Sequence, residues 1–248
     1  MILDDFVMLG TTVPEPNRDG RVFVCSAGVS TERRSLVRLY PLARRHIPRR
    51  WNMHRVPVEL NPSDSRPESY KVAGDRAPGA HEHINDRFQV IGRIRPKDRA
   101  RLLAPYWVSS IREANARRLS LAVIAPTALD LFFEYNPDSP DSPQLTLFDN
   151  TREKPTAGAR RFSYIPRLYF RDADGEHRLM LRDWGCYELM RKTPERRTQM
   201  ADALHMGASS SLLVGNLNNR RNAWLVISIL NGIRDEAPAL FDLTEGAA

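Results

Sequence analysis

Asp172, Asp174, Glu176 and His177 put four groups capable of proton or metal chemistry within six residues, and Asp183 follows shortly after. Carboxylates gathered at a hairpin tip can hold Mg²⁺ and stabilise charge on a phosphoryl group, so Asp172, Asp174, Asp183 and His177 are the candidates for catalysis at a phosphate. Two observations weigh against it. Asp172-Ala173-Asp174-Gly175 is ordinary turn sequence, and acids at a turn stay solvated without any metal. Asp183 immediately precedes Trp184 and a helical pattern running to Lys192, which suits an N-cap. His81-Glu82-His83 offers two imidazoles, but no third ligand is close and Gly79, Asn85 and Asp86 spell a loop. Gly-rich phosphate loops and a GxSxG elbow are absent. So is an acid two residues before a lysine, the signature of a restriction-type nuclease, since Ser69, Arg95, Arg152 and Met190 hold those places. No motif supports a reaction, and no metal or cofactor is expected.

Charge speaks more clearly. The chain has 37 Lys+Arg against 30 Asp+Glu, a net +7 over 248 residues, and all but four of the cations are arginine. Thr31 to Arg55 alone carries +7, from Arg33, Arg34, Arg38, Arg44, Arg45, Arg49, Arg50 and Arg55 against Glu32. Arg93 to Arg118 carries +6, whereas Leu129 to Asn150 carries −5 with no basic residue. Guanidinium forks grip phosphates bidentately, and Tyr40, His46, Trp51 and His54, interleaved with the first cluster, are rings that could stack on bases. Arg220-Arg221, at the tip of a late hairpin, add a further phosphate contact. The two cysteines are too few for a disulfide framework, the longest apolar runs fall far short of the ~20 residues of a membrane span, and the N-terminus has no basic signal region. A cytoplasmic protein with no membrane partner is expected.

The elements that must carry these groups are mostly strands. Asp5–Leu9, Arg21–Cys25, Leu36–Tyr40, Val56–Leu60 and Phe88–Ile94 have strand composition, and Leu36, Arg38 and Tyr40 alternate with Val37 and Leu39. Arg99–Arg118 has a helical pattern that Pro105 must interrupt. Leu119–Ala125 and Leu129–Tyr135 follow as strands. Beyond them, a Phe162–Leu181 hairpin, helices at Trp184–Lys192 and Pro194–His205, and a Leu212–Leu230 hairpin complete the chain. The fold class is therefore α+β: an N-terminal β-barrel-like or twisted-sheet domain (1–135), a Pro/Asp-rich linker (136–160), and a smaller hairpin-helix-hairpin part (161–248).

Two resemblances add to this. Val24-Cys25-Ser26-Ala27-Gly28, Arg38-Leu39-Tyr40-Pro41, Asp64-Ser65-Arg66-Pro67-Glu68-Ser69, Asp183-Trp184 and Gly215-Asn216 together resemble a family of uncharacterised prokaryotic proteins. That likeness would span most of the chain, and it implies one shared architecture without any catalytic residue. Gln144-Leu145-Thr146-Leu147-Phe148, in the acidic linker, resembles the QLxLF peptide with which bacterial polymerases and mismatch-repair proteins dock on the DNA sliding clamp. It implies Gln144, Leu145, Leu147 and Phe148 as anchors in an apolar groove. An edge strand with Leu145 and Leu147 inward is the alternative.

The leading expectation is a nucleic-acid-binding protein, for DNA or RNA, working with replication, repair or phage-defence machinery. Its donors would be Arg33, Arg34, Arg38, Arg44, Arg45, Arg49, Arg50, Arg55, Arg220 and Arg221. The alternatives are a metal-dependent enzyme acting on nucleic acid or nucleotides, and an interaction subunit of a larger complex.

Overall fold

Alternation at period two builds the first part of the chain in a computed structural model, which describes residues 1–16, 21–74, 80–137, 139, 161–206 and 210–230. The strands are β1 (Ile2–Thr11), β2 (Glu15–Pro16), β3 (Val22–Ser30), β4 (Ser35–Ala43), β5 (Asn52–Leu60), β6 (Ser69–Val72) and β7 (Gln89–Arg93). Five of them run in the order β1-β3-β4-β6-β5, and pairing of β5 back onto β1 closes a barrel. β4 and β6 are parallel, and the other barrel pairs are antiparallel. Phe6, Met8, Val24, Val37, Leu39, Val56 and Val58 fill the interior. Their neighbours Val7, Leu9, Ala27, Val29 and Leu36 point outward, yet they are buried too. Gly28 marks the tightest crossing: a Cβ there would lie 2.2 Å from the Val7 carbonyl oxygen and 2.6 Å from the Phe6 ring.

What buries the outer face arrives much later in sequence. β8 (Trp107–Val108), β9 (Leu121–Ile124), β13 (Ser211–Leu217) and β14 (Arg220–Leu230) form a second sheet in the order β14-β13-β9-β8. Its Leu121, Val123, Leu213 and Ile227 pack on the barrel. Its opposite face, with Ala122, Ile124, Leu212, Val214, Val226 and Ile229, packs on Leu131, Leu168, Phe170, Cys186 and Met200. Those residues belong to a third sheet, β10 (Ala128–Tyr135), β11 (Tyr164–Asp172) and β12 (Gly175–Met180), and to helices α3 (Trp184–Lys192) and α4 (Arg197–Met206). Burial on both faces is why Leu121–Ile124 and Ala223–Leu230 read as nearly unbroken apolar runs. Gly10 permits the contact of barrel and sheet, since a Cβ there would lie 2.5 Å from Ser228 Cβ.

The molecule is thus mostly sheet with few helices, and the N-terminal barrel is present and closed. The sheets run across residues 135 and 161: β10 pairs along its length with β11, and β13 pairs with β9. The helical pattern over Arg99–Arg118 resolves differently from a continuous helix. Helix α1 (Pro96–Leu103) gives way to a 3-10 turn at Pro105 and to β8, and α2 (Ile111–Ala116) restarts after Ser110. Proline lacks the N–H that a helix interior needs, and Ser110 caps the new helix by accepting from Glu113 N at 3.0 Å. Gln144–Phe148 lies outside the described residues. No helix among the described residues is long and apolar enough to cross a membrane.

Candidate functional site

The acidic constellation is divided between two structural roles. Asp183 is fully buried and caps α3: one carboxylate oxygen accepts from Cys186 N at 3.3 Å. The other accepts from Arg50 Nη2 at 2.8 Å, Ser228 Oγ at 2.6 Å and Ile229 N at 3.3 Å. Asp172 accepts from Ile111 N and Asp174 N, each at 2.9 Å, and lies 2.8 Å from His177 Nε2. Burial pushes its pKa up, but those two backbone hydrogen bonds and the hydrogen bond and charge of His177 outweigh it and hold the carboxyl below its ordinary range. Asp174 takes Ser110 Oγ and Arg112 Nη2. The β11–β12 tip is thereby docked on the start of α2. No group of three or more metal-ligating side chains occurs among the described residues.

The arginines sort into paired and unpaired. Arg55 pairs with Asp4, Arg95 and Arg101 with Asp98, Arg112 with Asp174, Arg117 with Glu113, Arg171 with Glu176, Arg178 with Glu134 and Arg191 with Glu188. Arg44, Arg45 and Arg49 are exposed on the connection between β4 and β5 and make no ion pair among the described residues. Their loop is built firmly. Buried Asn85 accepts from Ala43 N at 3.2 Å and donates to the carbonyls of Ala43 at 2.8 Å and Arg45 at 2.6 Å. Trp51 N donates to Met8 O at 2.7 Å, and His46 and Trp51 take left-handed φ of 52° and 66°. His46 Nδ1 lies 3.3 Å from Asp86, and that hydrogen bond, opposed by slight desolvation, helps hold the Asp86 carboxyl low. Sequence reasoning took Asn85 only as a loop residue, because its bonds to Ala43 and Arg45 span 42 and 40 residues and leave no local signal.

The other end of β4 carries Arg33 and Arg34. Asp5 shapes that turn by accepting from Ser30 Oγ at 2.8 Å, Thr31 Oγ1 and Glu32 N at 2.6 Å. Arg33 Nη1 donates to Tyr70 Oη at 2.9 Å, with the guanidinium 5.3 Å from the ring centroid. Arg34 lines a groove of about 400 Å³ together with Tyr70, Tyr106, Arg117, Arg118 and one acid, Glu68. The first basic cluster meets the second here. Nine residues of β4 separate this groove from the Arg44–Arg49 loop, roughly 25–30 Å at the strand rise.

Two other expected donors, Arg38 and Arg50, face inward. Arg38 is 4% exposed, and Arg50 is committed to Asp183 and to Ile229 O at 3.0 Å. Arg221 donates to Ser65 Oγ at 2.8 Å, while Arg220 is exposed beside it. Trp51 and His54, read as rings for bases, are buried: Trp51 lies under Arg99, 4.5 Å from its centroid, and His54 meets Phe88 edge-on. Trp51, just before β5, packs with the outward-facing residues under the second sheet, and His54, on β5, lies against Phe88 of the barrel core, so both rings are withdrawn from solvent.

Comparison with known proteins adds one likeness. Residues 4–101 match a family described as Domain of unknown function (DUF8758). The match takes in the barrel, the Arg44–Arg49 loop and β7, and it fits the resemblance to an uncharacterised family. No curated protein and no solved structure matches the chain.

Proposed function

We propose that the chain is a nucleic-acid-binding protein whose main phosphate donors are Arg44, Arg45 and Arg49, with Arg34 and Arg118 as a second patch. One observation carries the reading. Exposed Arg55, Arg95, Arg101, Arg112, Arg117, Arg171, Arg178 and Arg191 each pair with a carboxylate, while Arg44, Arg45 and Arg49 stand together on one loop with no ion pair among the described residues. Unpaired guanidinium is what a phosphate backbone requires, because each contact releases condensed counterions.

Five-stranded Greek-key barrels that bind oligonucleotides use the face of their second and third strands and loops at the strand ends. Here the corresponding face, on β3 and β4, lies largely under the second sheet. Contact therefore falls to the strand-end loops, which is where the unpaired arginines stand. Two free cysteines suit a reducing cytoplasm. Gln144–Phe148 would tether the protein to a sliding clamp, a reading that pull-down with and without Leu147→Ala plus Phe148→Ala tests.

The direct test is fluorescence anisotropy of end-labelled single-stranded DNA, duplex DNA and RNA at several salt concentrations. The wild type should show log K falling steeply with log salt. Arg44→Ala/Arg45→Ala/Arg49→Ala should flatten that slope by about 2–3, at 0.7–0.9 for each phosphate released. The paired control Arg171→Ala should leave it unchanged. Weak binding of all three probes at low salt, or an unaltered slope in the triple variant, would overturn the proposal.

A further inference from the structure

A cleft of about 540 Å³ opens between the barrel strands β3 and β4 and the β13–β14 hairpin. Phe23, Trp224, Leu225 and Ile227 give it an apolar wall, and Arg38, Arg66 and Arg182 all line it. Two of those cations are neutralised. Arg66 is gripped by Asp64 at 2.5 Å, and Arg182 pairs with Glu15. Arg38 is different. Its Nη2 donates to Ser120 O at 3.1 Å, its Nη1 lies 3.6 Å from Cys25 Sγ, and its Nε has no acceptor. No carboxylate among the described residues pairs with it.

Neutral acceptors spread a buried charge without cancelling it, and an uncompensated cation in a protein interior is held at a desolvation cost. The fold makes room for this one on purpose of geometry alone: at Gly215 a Cβ would lie 3.1 Å from Arg38 Nη2 and 2.7 Å from Ile227 Cδ1. Cys25, Arg38, Tyr40, Arg66 and Asn216, from four separate stretches of sequence, converge on the same space. Burial and then the neighbouring Cys25 push the Tyr40 hydroxyl pKa up, so it remains a neutral hydroxyl on this wall at physiological pH.

We propose that this cleft is a binding site for a small aromatic molecule bearing one anionic group, a carboxylate or a phosphate ester. The anion sets its charge toward Arg38, and the ring lies against Phe23 and Trp224. The volume falls in the range of ordinary ligand sites, which combine an apolar lining with a few polar groups. The site is separate from the Arg44–Arg49 loop, so either proposal can fail without the other.

Cysteine chemistry supplies a test on the unmodified protein. Cys25 is half-buried and lines the cleft, whereas Cys186 is fully buried and its thiol is pushed up by burial and by Asp183. Iodoacetamide on the native chain should therefore label Cys25 selectively, with mass spectrometry reading the rate. Phenyl phosphate or benzoate should slow labelling about threefold when present at twice its Kd. Protection by one and not the other identifies the headgroup. Benzyl alcohol at the same concentration should protect much less, and in Arg38→Met the advantage of the anions over the alcohol should vanish while the native far-UV spectrum is kept. Equal protection by the alcohol and the anions in the wild type, or no protection by any probe, would overturn the proposal.

Discussion

Arg50 and Arg38 come from the same basic stretch and both leave the surface, but they enter two unlike regions. Around Asp183 every polar group has been answered: Arg50, Ser228, Ile229 N and Cys186 N all converge on one carboxylate. Around Arg38 the neighbours are a carbonyl, a thiol and an apolar wall, and one guanidinium N–H has no acceptor. The first region joins barrel, second sheet and α3, and its charges cancel where they meet. In the second the charge is left over. Completeness of pairing, more than burial or charge alone, separates an arginine that holds the fold together from one that waits for a ligand. The exposed loop follows the same rule, with Arg44, Arg45 and Arg49 unpaired while Arg171 and Arg191 are matched.

The comparison breaks most sharply at Asp183. Asp183→Ala should destabilise the chain by about 3–5 kcal/mol, because it leaves Arg50 without its counter-charge and removes the cap of α3. Urea denaturation followed by tryptophan fluorescence measures this. A loss under about 1 kcal/mol would mean that the network is not what joins the three parts.

Asp183 as a helix cap was legible because the signal is local, an aspartate directly before a helical pattern. Its partner was not. Arg50 lies 133 residues away, and nothing in a run of arginines tells which one will turn inward. The same limit applied to β4. Alternation of Leu36, Arg38 and Tyr40 with Val37 and Leu39 correctly gave a strand, but it suggested one wet face. That face is covered by β9 and the residue before it, Ser120, whose carbonyl meets Arg38 across 82 residues. Trp51 and His54 were ambiguous for a related reason: composition places rings beside charges without saying which side of the backbone each takes. The excess charge of Arg44, Arg45 and Arg49 was plain from the start, but their lack of carboxylate partners is a property of the folded surface only.

A smaller effect sharpens the comparison at Asp172, whose role is also structural. Its folded pKa lies below the unfolded value of about 3.9, so its contribution is present above about pH 4 and is lost as pH falls through the folded pKa. Asp172→Asn should cost about 1–2 kcal/mol near neutrality, where it leaves His177 without its carboxylate and weakens acceptance from Ile111 N. Below pH 4 the two proteins should converge in stability, because the wild-type carboxyl is being protonated there too. Urea midpoints measured across that range test the sign. A gap that stays constant with pH would assign the loss to shape instead of charge.

The smallest effect should come from Arg38, and its size is the informative part. Arg38→Met keeps an unbranched apolar stem while deleting a cation that has no carboxylate partner among the described residues. The loss of the hydrogen bond to Ser120 O, worth about 1 kcal/mol, is opposed by relief of a desolvated charge, and the two should nearly cancel. The variant should therefore unfold within about 1 kcal/mol of the wild type, several-fold less affected than Asp183→Ala, although both positions are buried at the boundary between barrel and second sheet. Excess phenyl phosphate should then raise the urea midpoint of the wild type and leave that of Arg38→Met where it was, since a ligand stabilises only the state that binds it. A loss as large as that at Asp183 would show that Cys25 and Ser120 already satisfy Arg38, and the contrast between the two regions would dissolve.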